Sequence, residues 1–402
     1  GVRLGVLICA DVWEPNPASL AKAAGAEVLI ALNASPFHME KQSTRLEILR
    51  ERVNETELAI IYTNMVGGQD ELVFDGGSFV LNSDGELMQQ LPAFEAALEI
   101  VEFNDLQPMA TSITPQLAIE ASVYNALKLG LQDYVCKNRF PGVVLGLSGG
   151  IDSALTMAIA VDALGAENVQ AVMMPSEFTA NISVDDAAEM ANLLGVKYSQ
   201  IPIAELYEGF RSSLTVEFKG LPFDTTEENL QARIRGMLLM AISNKFGSIV
   251  VTTGNKSEMA VGYCTLYGDM AGGFALLKDV PKTLVYRLCD YRNSLSRAIP
   301  QRIITRPPSA ELRANQLDQD SLPAYEVLDG IIEAYVEDNL SAKDIIAMGY
   351  SSTDVNRVIA LIDRNEYKRR QSPVGVRITH RGFGKDRRHP ITVKLDYDIH
   401  LN

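Results

Sequence analysis

Cysteine is scarce in this chain and scattered: Cys9, Cys136, Cys264 and Cys289 are the only four, and no two form a CxxC pair. That spacing argues against a zinc or dithiol centre and fits a reduced, cytoplasmic setting. Long apolar runs are missing as well. None approaches the roughly 20 residues that a membrane span requires, so no membrane association is expected. Positive charge is outweighed, with 36 Lys and Arg against 51 Asp and Glu and a formal net charge of −15. This excludes broad nonspecific attraction to nucleic acid while leaving room for a local basic patch around a phosphorylated small molecule. No internal repeat, low-complexity tract or secretory leader stands out. The chain opens at Gly1 directly into an apolar run, residues 2–9, and is expected to begin inside a domain.

What is present fits an ordinary globular protein: 47% hydrophobic and 22% charged residues over 402 positions, enough for two cores. Over the first hundred residues short apolar runs alternate with polar turns, predicting strands near residues 4–9, 28–32, 59–62, 78–81 and 98–101, with few long helices. Composition shifts to Pro, Ser and Thr around residues 105–115, which reads as a linker. Residues 115–137 then carry helical spacing, with Ile119, Val123, Ala126, Leu127 and Leu131 on one face. Beyond them, strand signals at residues 143–147, 169–174 and 248–252 alternate with helical stretches at 154–164, 185–194 and 227–245. That alternation predicts a doubly wound parallel sheet, whose ligands sit beyond the strand C-termini. The tail from Tyr367 onward is rich in Lys and Arg.

The sharpest local signal is Ser148-Gly149-Gly150-Ile151-Asp152-Ser153, lying between an apolar strand and an apolar helix. Glycines there let backbone N–H groups approach an anion, the helix N-terminus adds positive partial charge, Ser148 and Ser153 bring hydroxyls, and Asp152 can face a phosphate-bound metal. A capped glycine turn would share the short Ser-Gly-Gly string; the full six-residue pattern after a buried strand is more specific. It lacks the Lys of the GxxxxGK[ST] loop. The loop resembles the PP-loop of the ATP-pyrophosphatase superfamily, whose members activate a carboxylate or carbonyl oxygen with AMP and release pyrophosphate. Three further segments, Asp224 through Gly236, Thr252 through Glu258 and Tyr267 through Gly273, resemble the NAD synthetase family over nearly all of residues 116–391.

That resemblance implies amidation of deamido-NAD through an adenylate, using ATP and Mg²⁺. Ser148, Gly149, Gly150, Asp152, Ser153, Thr253, Lys282 and Ser309 would hold ATP. Asp152 and Glu258 would hold the metal, and Asn229, Arg233, Glu258, Asp269 and Lys368 the deamido-NAD. Leu266 stands where ammonia-dependent members often carry Lys, a mark of the glutamine-dependent branch. Other PP-loop ligases, such as GMP synthetase or a tRNA-modifying enzyme, and an inactive nucleotide-binding scaffold are the competing readings. The acidic balance weighs against tRNA, and a chemically complete set of Asp152, Thr253, Glu258 and Lys282 weighs against the scaffold.

Near the start, Cys9 ends an apolar strand just before a polar turn. A lone strand-end Cys is often only a small buried hydrophobe, yet an elbow of this kind also suits a nucleophile. The segment around it resembles the nitrilase superfamily, and the Asn33–His38 stretch, Lys41, Arg45 and Gly67–Gly76 resemble its glutamine-amidase members. By that resemblance Cys9 attacks glutamine, Ser35 and Lys41 hold it, and the family's Glu base and second Lys are expected upstream of Cys9. The expected fold class is thus α/β: a partial nitrilase-like sandwich over residues 1–107, then a doubly wound synthetase domain over 108–402. Glutamine or free ammonia would supply nitrogen, and the resemblance implies a cytoplasmic homo-oligomer.

Overall fold

A computed structural model describes residues 1–313, 316 and 322–392. The chain divides into two compact units, Gly1–Gly130 and Leu131–Asn402. The division falls within one continuous helix, Ile119–Lys137, whose Val123, Ala126, Leu127 and Leu131 are fully buried.

In the first unit, strands Leu4–Ile8, Val28–Asn33 and Ile60–Asn64 run parallel, and Phe79–Leu81 and Leu87–Gln90 extend the same sheet antiparallel. Leu7, Leu29, Ala31, Ile60, Tyr62 and Phe79 pack with Leu49 and Val53 of the helix Lys41–Thr56. Composition hides that 16-residue helix, because two of its buried positions are Arg45 and Arg52, which interrupt the apolar stripe. The predicted strand at residues 98–101 does not form. Its Leu98 and Ile100 are 97% and 80% exposed, and period-two alternation makes a strand only where one face has something to bury against. The segment read as a linker is hydrogen bonded into this unit: Thr111 N–H donates to Met88 O (2.9 Å) and Thr114 N–H to Gln90 O (3.0 Å). Pro, Ser and Thr weaken a strand signal without preventing backbone pairing.

The second unit is built on an all-parallel five-stranded sheet in the order Lys197–Gln200, Val169–Met173, Val143–Gly146, Ile249–Thr252 and Phe274–Ala275. Taken along the chain this is order 3-2-1-4-5, the doubly wound arrangement that the alternating pattern predicts. Helices Ile151–Leu164, Asn181–Leu194 and Thr225–Phe246 connect the strands. Val143–Gly146 and Ile249–Thr252 are neighbours reached by connections of opposite direction, so a crevice opens beyond their C-terminal ends. Those ends lead directly into Ser148 and Thr253. A helical subdomain follows, in which Leu328, Ile331, Ile332, Val336, Val355, Val358 and Ile362 pack with Ala260 and Val261. No helix among the described residues is long and apolar enough to cross a membrane. Residues 393–402 of the basic tail lie outside the described residues.

This burial pattern has a direct consequence for stability. Leu145, fully buried in the central strand, should cost about 2–5 kcal/mol on truncation to Ala, whereas Leu98→Ala should stay within about 0.5 kcal/mol. Urea denaturation of the two variants checks both numbers.

Candidate active site

A cavity of about 290 Å³ lies at the crevice and is lined by the whole stretch Gly146 to Ser153 together with Thr253, Glu258, Asp269, Lys282 and Ser309. Ten of the residues singled out from sequence thus converge from the loop, the end of the neighbouring strand and four later segments. The loop is braced from within. Ser153 Oγ donates to Gly150 O (2.9 Å) and accepts from Ser148 N–H (3.2 Å), while Gly150 N–H donates to Ser148 Oγ (3.2 Å). Gly149 sits at φ +78°, and a Cβ there would stand 2.3 Å from Ser183 O, so no other residue fits the turn. The helix Ile151–Leu164 begins at the loop and turns its N-terminus toward the cavity, a standing attraction for phosphate.

Charge is concentrated on the facing side. Lys282, 1% exposed, is ion-paired to Asp152 and lies 3.8 Å from Glu258 Oε1. Asp152 Oδ1 also accepts from Asn255 Nδ2 (2.9 Å). Asn255 in turn caps the helix Lys256–Val261, its Oδ1 accepting from Glu258 N–H (3.0 Å) while Glu258 Oε2 accepts from Asn255 N–H (3.2 Å). Glu258 is therefore a capping-box acid whose second oxygen faces Lys282. Across the cavity Asp269 Oδ1 accepts from Thr265 N–H (2.7 Å), and burial pushes its carboxyl up to about 6 despite that bond and the nearby Lys368.

Asn229, Arg233 and Lys368 do not line this cavity, and Arg233 is exposed. Asn229 Oδ1 accepts from Thr265 Oγ1 (2.8 Å), so it supports the loop that holds Asp269. Arg233 Nε donates to Leu266 O (3.2 Å). Lys368 Nζ donates to the carbonyls of Gly262 (2.7 Å) and Cys264 (2.9 Å), closing the end of the glutamate's helix. Ser309 is on the wall, its Oγ donating to Gln316 O (2.6 Å).

Four lining or bracing residues escaped the sequence reading. Asn255 was visible as the Asn-x-x-Glu signature of a capping box. Arg235, two positions beyond Arg233, lines the cavity, donates from Nε to Met174 O (2.9 Å) and has its guanidinium lowered to about 10 by burial. Two arginines two apart on a helix face different sides, and sequence does not say which faces in. Arg306 and Glu311, paired at 3.3 Å, complete the wall and carry no sequence signal of their own.

In the first unit Cys9 follows the strand Leu4–Ile8 and opens a 3₁₀ turn, Cys9–Trp13, at φ +46°. A non-glycine residue held in the left-handed region is strained and marks an enforced conformation. Its thiol is free and partly buried. Lys41 Nζ lies 3.9 Å over the Trp13 ring, which ends that same turn, and lines a second cavity of about 110 Å³ with Phe37, His38, Gln42 and Asp75. Ser35 is buried: its Oγ accepts from Arg45 Nε (3.2 Å) and its carbonyl from Arg45 Nη2 (2.7 Å). Arg45, fully buried, also grips both oxygens of Asp75 at 2.8 Å.

Comparison with known proteins gives these geometries a context. The NAD synthase family model matches residues 123–372, and the carbon-nitrogen hydrolase model matches residues 1–110. A glutamine-dependent NAD(+) synthetase from Acinetobacter baylyi is 52% identical over 97% of this chain and 73% of its own length. The solved structure of glutamine-dependent NAD+ synthetase from Acinetobacter baumannii in complex with adenosine diphosphate is 51% identical, with a TM-score of 0.74 over 96% of this chain and 72% of that one. An NH3-dependent NAD synthetase from Campylobacter jejuni is 26% identical, with a TM-score of 0.51 over 63% of this chain and 96% of that one. The nucleotide loop, the paired carboxylates and the lysine between them all fall inside the larger match, and the chain belongs to the NAD synthase family.

Proposed function

We propose that this protein amidates deamido-NAD to NAD at the expense of ATP, with ammonia drawn from glutamine through a thioester on Cys9. The observation that carries the reading is the single cavity shared by the glycine loop, Asp152, Thr253, Glu258, Asp269 and Lys282. The family match and the relatives' names favour it over GMP synthetase, tRNA modification or an inert scaffold. The amidase-like part is assigned to residues 1–107 and the ligase to 108–402, and family likeness alone extends the reading to a cytoplasmic homo-oligomer.

The chemistry follows from the wall. Loop amides, Ser148, Thr253 and the helix N-terminus hold the phosphates of ATP. The nicotinate carboxylate of deamido-NAD attacks the α-phosphorus, pyrophosphate leaves, and ammonia then displaces AMP from the acyl carbon. Lys282 faces the negative charge that grows on the phosphates. Asp269, seated on the loop that Asn229 and Lys368 brace, accepts hydrogen bonds from the dinucleotide. Asp152 and Glu258 bring oxygens from two different elements to the Lys282 ammonium, and the same hard oxygens would hold Mg²⁺, which would take its remaining ligands from water and substrate phosphates. When bound, Mg²⁺ neutralises the departing pyrophosphate.

Asp152→Asn keeps the side-chain shape but removes a charge, so pyrophosphate release should fall at least about 10²-fold, the equivalent of several kcal/mol of charge stabilisation. Unchanged turnover in a folded variant would sink the assignment.

Asp269 sets a pH dependence. Its raised carboxyl is neutral below about 6 and ionised above, so affinity for deamido-NAD should climb as pH rises through about 6 and flatten beyond it. Calorimetric titration at several pH values should show this rise in the parent and not in Asp269→Asn. Ammonium-fed turnover should keep increasing above that point, because only neutral ammonia is a nucleophile.

In a chain that carries the Glu base and second Lys expected upstream of Cys9, Cys9→Ala should erase NAD formation from glutamine and leave the rate from added ammonium within about twofold, since the thioester and the adenylate use separate groups. Comparing the two nitrogen sources decides it; equal loss of both contradicts a role confined to glutamine hydrolysis.

A further inference from the structure

Lys282 is the first residue of the helix Lys282–Leu295, preceded by Pro281, which has no polar side chain with which to cap it. The first four N–H groups of any helix lack intrahelical partners, and this helix has no acid in its own first turn. Two are satisfied locally: Leu284 and Val285 N–H both donate to Pro281 O at 3.0 Å. The other two are satisfied from elsewhere in the fold. Lys282 N–H donates to Ser257 Oγ (2.9 Å), and Thr283 N–H donates to Asp329 Oδ2 (2.9 Å), which also accepts from Thr283 Oγ1 (2.8 Å). Ser257 Oγ donates onward to Asp329 Oδ1. One carboxylate from the helix Tyr325–Ile332 thus closes both ends of the arrangement.

The residues it grips are the neighbours of the groups that line the cavity. Ser257 directly precedes Glu258, and Thr283 directly follows Lys282. Side chains tilt toward the N-terminus of their helix, so Lys282 at the first position reaches back beyond the helix end to Asp152 and Glu258. Fraying or rotation of that first turn carries its ammonium away from both. We propose that Asp329 is a positioning residue for the adenylation step: it caps the lysine's helix in trans and, through Ser257, fixes Lys282 in register with Glu258. The inference rests on the ligase reading above. Asp329 lines no part of the cavity and need not touch ATP or deamido-NAD. Its carboxylate adds favourable charge at a helix N-terminus that has none of its own. Burial raises its carboxyl, and the bonds from Ser257 and Thr283 oppose that rise.

The test is steady-state pyrophosphate release with ATP, deamido-NAD and saturating ammonium, alongside thermal melting, for Asp329→Ala, Ser257→Ala and Asp329→Asn. A misplacement of about 1 Å at a reacting group costs on the order of 10²-fold, so both Ala variants should lose about 10- to 100-fold in kcat while KM for ATP stays within about threefold. Asp329→Asn keeps an acceptor for Thr283 and the same shape, and should recover kcat to within about fivefold of the parent. A purely structural role would lower the melting temperature and leave kcat per folded molecule intact. That outcome overturns the proposal, as does a loss confined to KM or an Asn variant as slow as Ala. Should Asp329→Ala fail to fold, Ser257→Ala and Asp329→Asn decide the matter by the same criteria. If the parent itself releases no pyrophosphate that depends on deamido-NAD and ammonium, the ligase reading has failed and not the positioning role alone.

Discussion

One buried ammonium organises the ligase unit. Lys282 is almost wholly removed from water, a position no charged amine occupies without carboxylates to receive it, and Asp152 and Glu258 are those carboxylates. Because the three come from the loop-bearing helix, the helix after the fourth strand and the helix after the fifth, their mutual attraction fixes three helix N-termini around one point. The arrangement needs outside support, since an unpaired member would be left charged and buried. Asn255 steadies Asp152 and Glu258 together, and Ser257 and Asp329 steady the turn that bears Lys282.

A second buried cation repeats the device one residue away from Ser257. Lys256, fully enclosed, pairs with Asp279 at 2.9 Å and Glu337 at 2.7 Å, and donates to Thr379 Oγ1 at 2.9 Å. Asp279 in turn accepts from the N–H groups of Ile378 and Thr379, both at 2.8 Å. The pairing holds the lysine above its ordinary value against the pull of desolvation. It binds the helix Lys256–Val261 to the segment before Lys282, to the π-helical turn Glu333–Glu337 and to the stretch near Thr379. Buried pairs of this kind add little net stability over an apolar core of the same shape, but breaking one is costly. Their effect here is to hold the wall of the cavity in one arrangement.

Much of this was legible beforehand, for identifiable reasons. The parallel sheet announced itself through its three central strands, which are short apolar runs, while the outer strands Lys197–Gln200 and Phe274–Ala275 gave no such signal; the loop was legible because Gly149 tolerates a turn that no side chain permits. Period alone misled at residues 98–101, where alternation had no partner surface, and it missed the helix Lys41–Thr56, whose buried face is partly arginine. The residues named from short motifs, Ser148 to Ser153, Thr253 and Glu258, do line the cavity. Arg306 and Asp329 were not legible, because each reaches the cavity or its supports across a long stretch of sequence that leaves no spacing to read, and Arg235 was passed over for Arg233, two positions away on the same helix. Asn229 and Lys368 were singled out by family resemblance, yet here they bond to Thr265 and to the carbonyls of Gly262 and Cys264.

The charge of the cavity bears on what must enter with the nucleotide. Among the described lining residues Asp152, Glu258, Asp269 and Glu311 are acidic, against Lys282, Arg235 and Arg306, four against three. Above about pH 6, where Asp269 is ionised, the lining is therefore not cationic, and the whole chain is strongly acidic besides. On the reading proposed above, a triphosphate would carry several negative charges into this space. The helix N-terminus at Ile151 offers about half a unit of positive charge, too little to balance them. Lys282 is already shared between two carboxylates, and Arg306 is paired with Glu311. On the ligase reading proposed above, a divalent cation carried in on the phosphates would supply the deficit, with Asp152 and Glu258, now turned to Lys282, as the acids that would receive it.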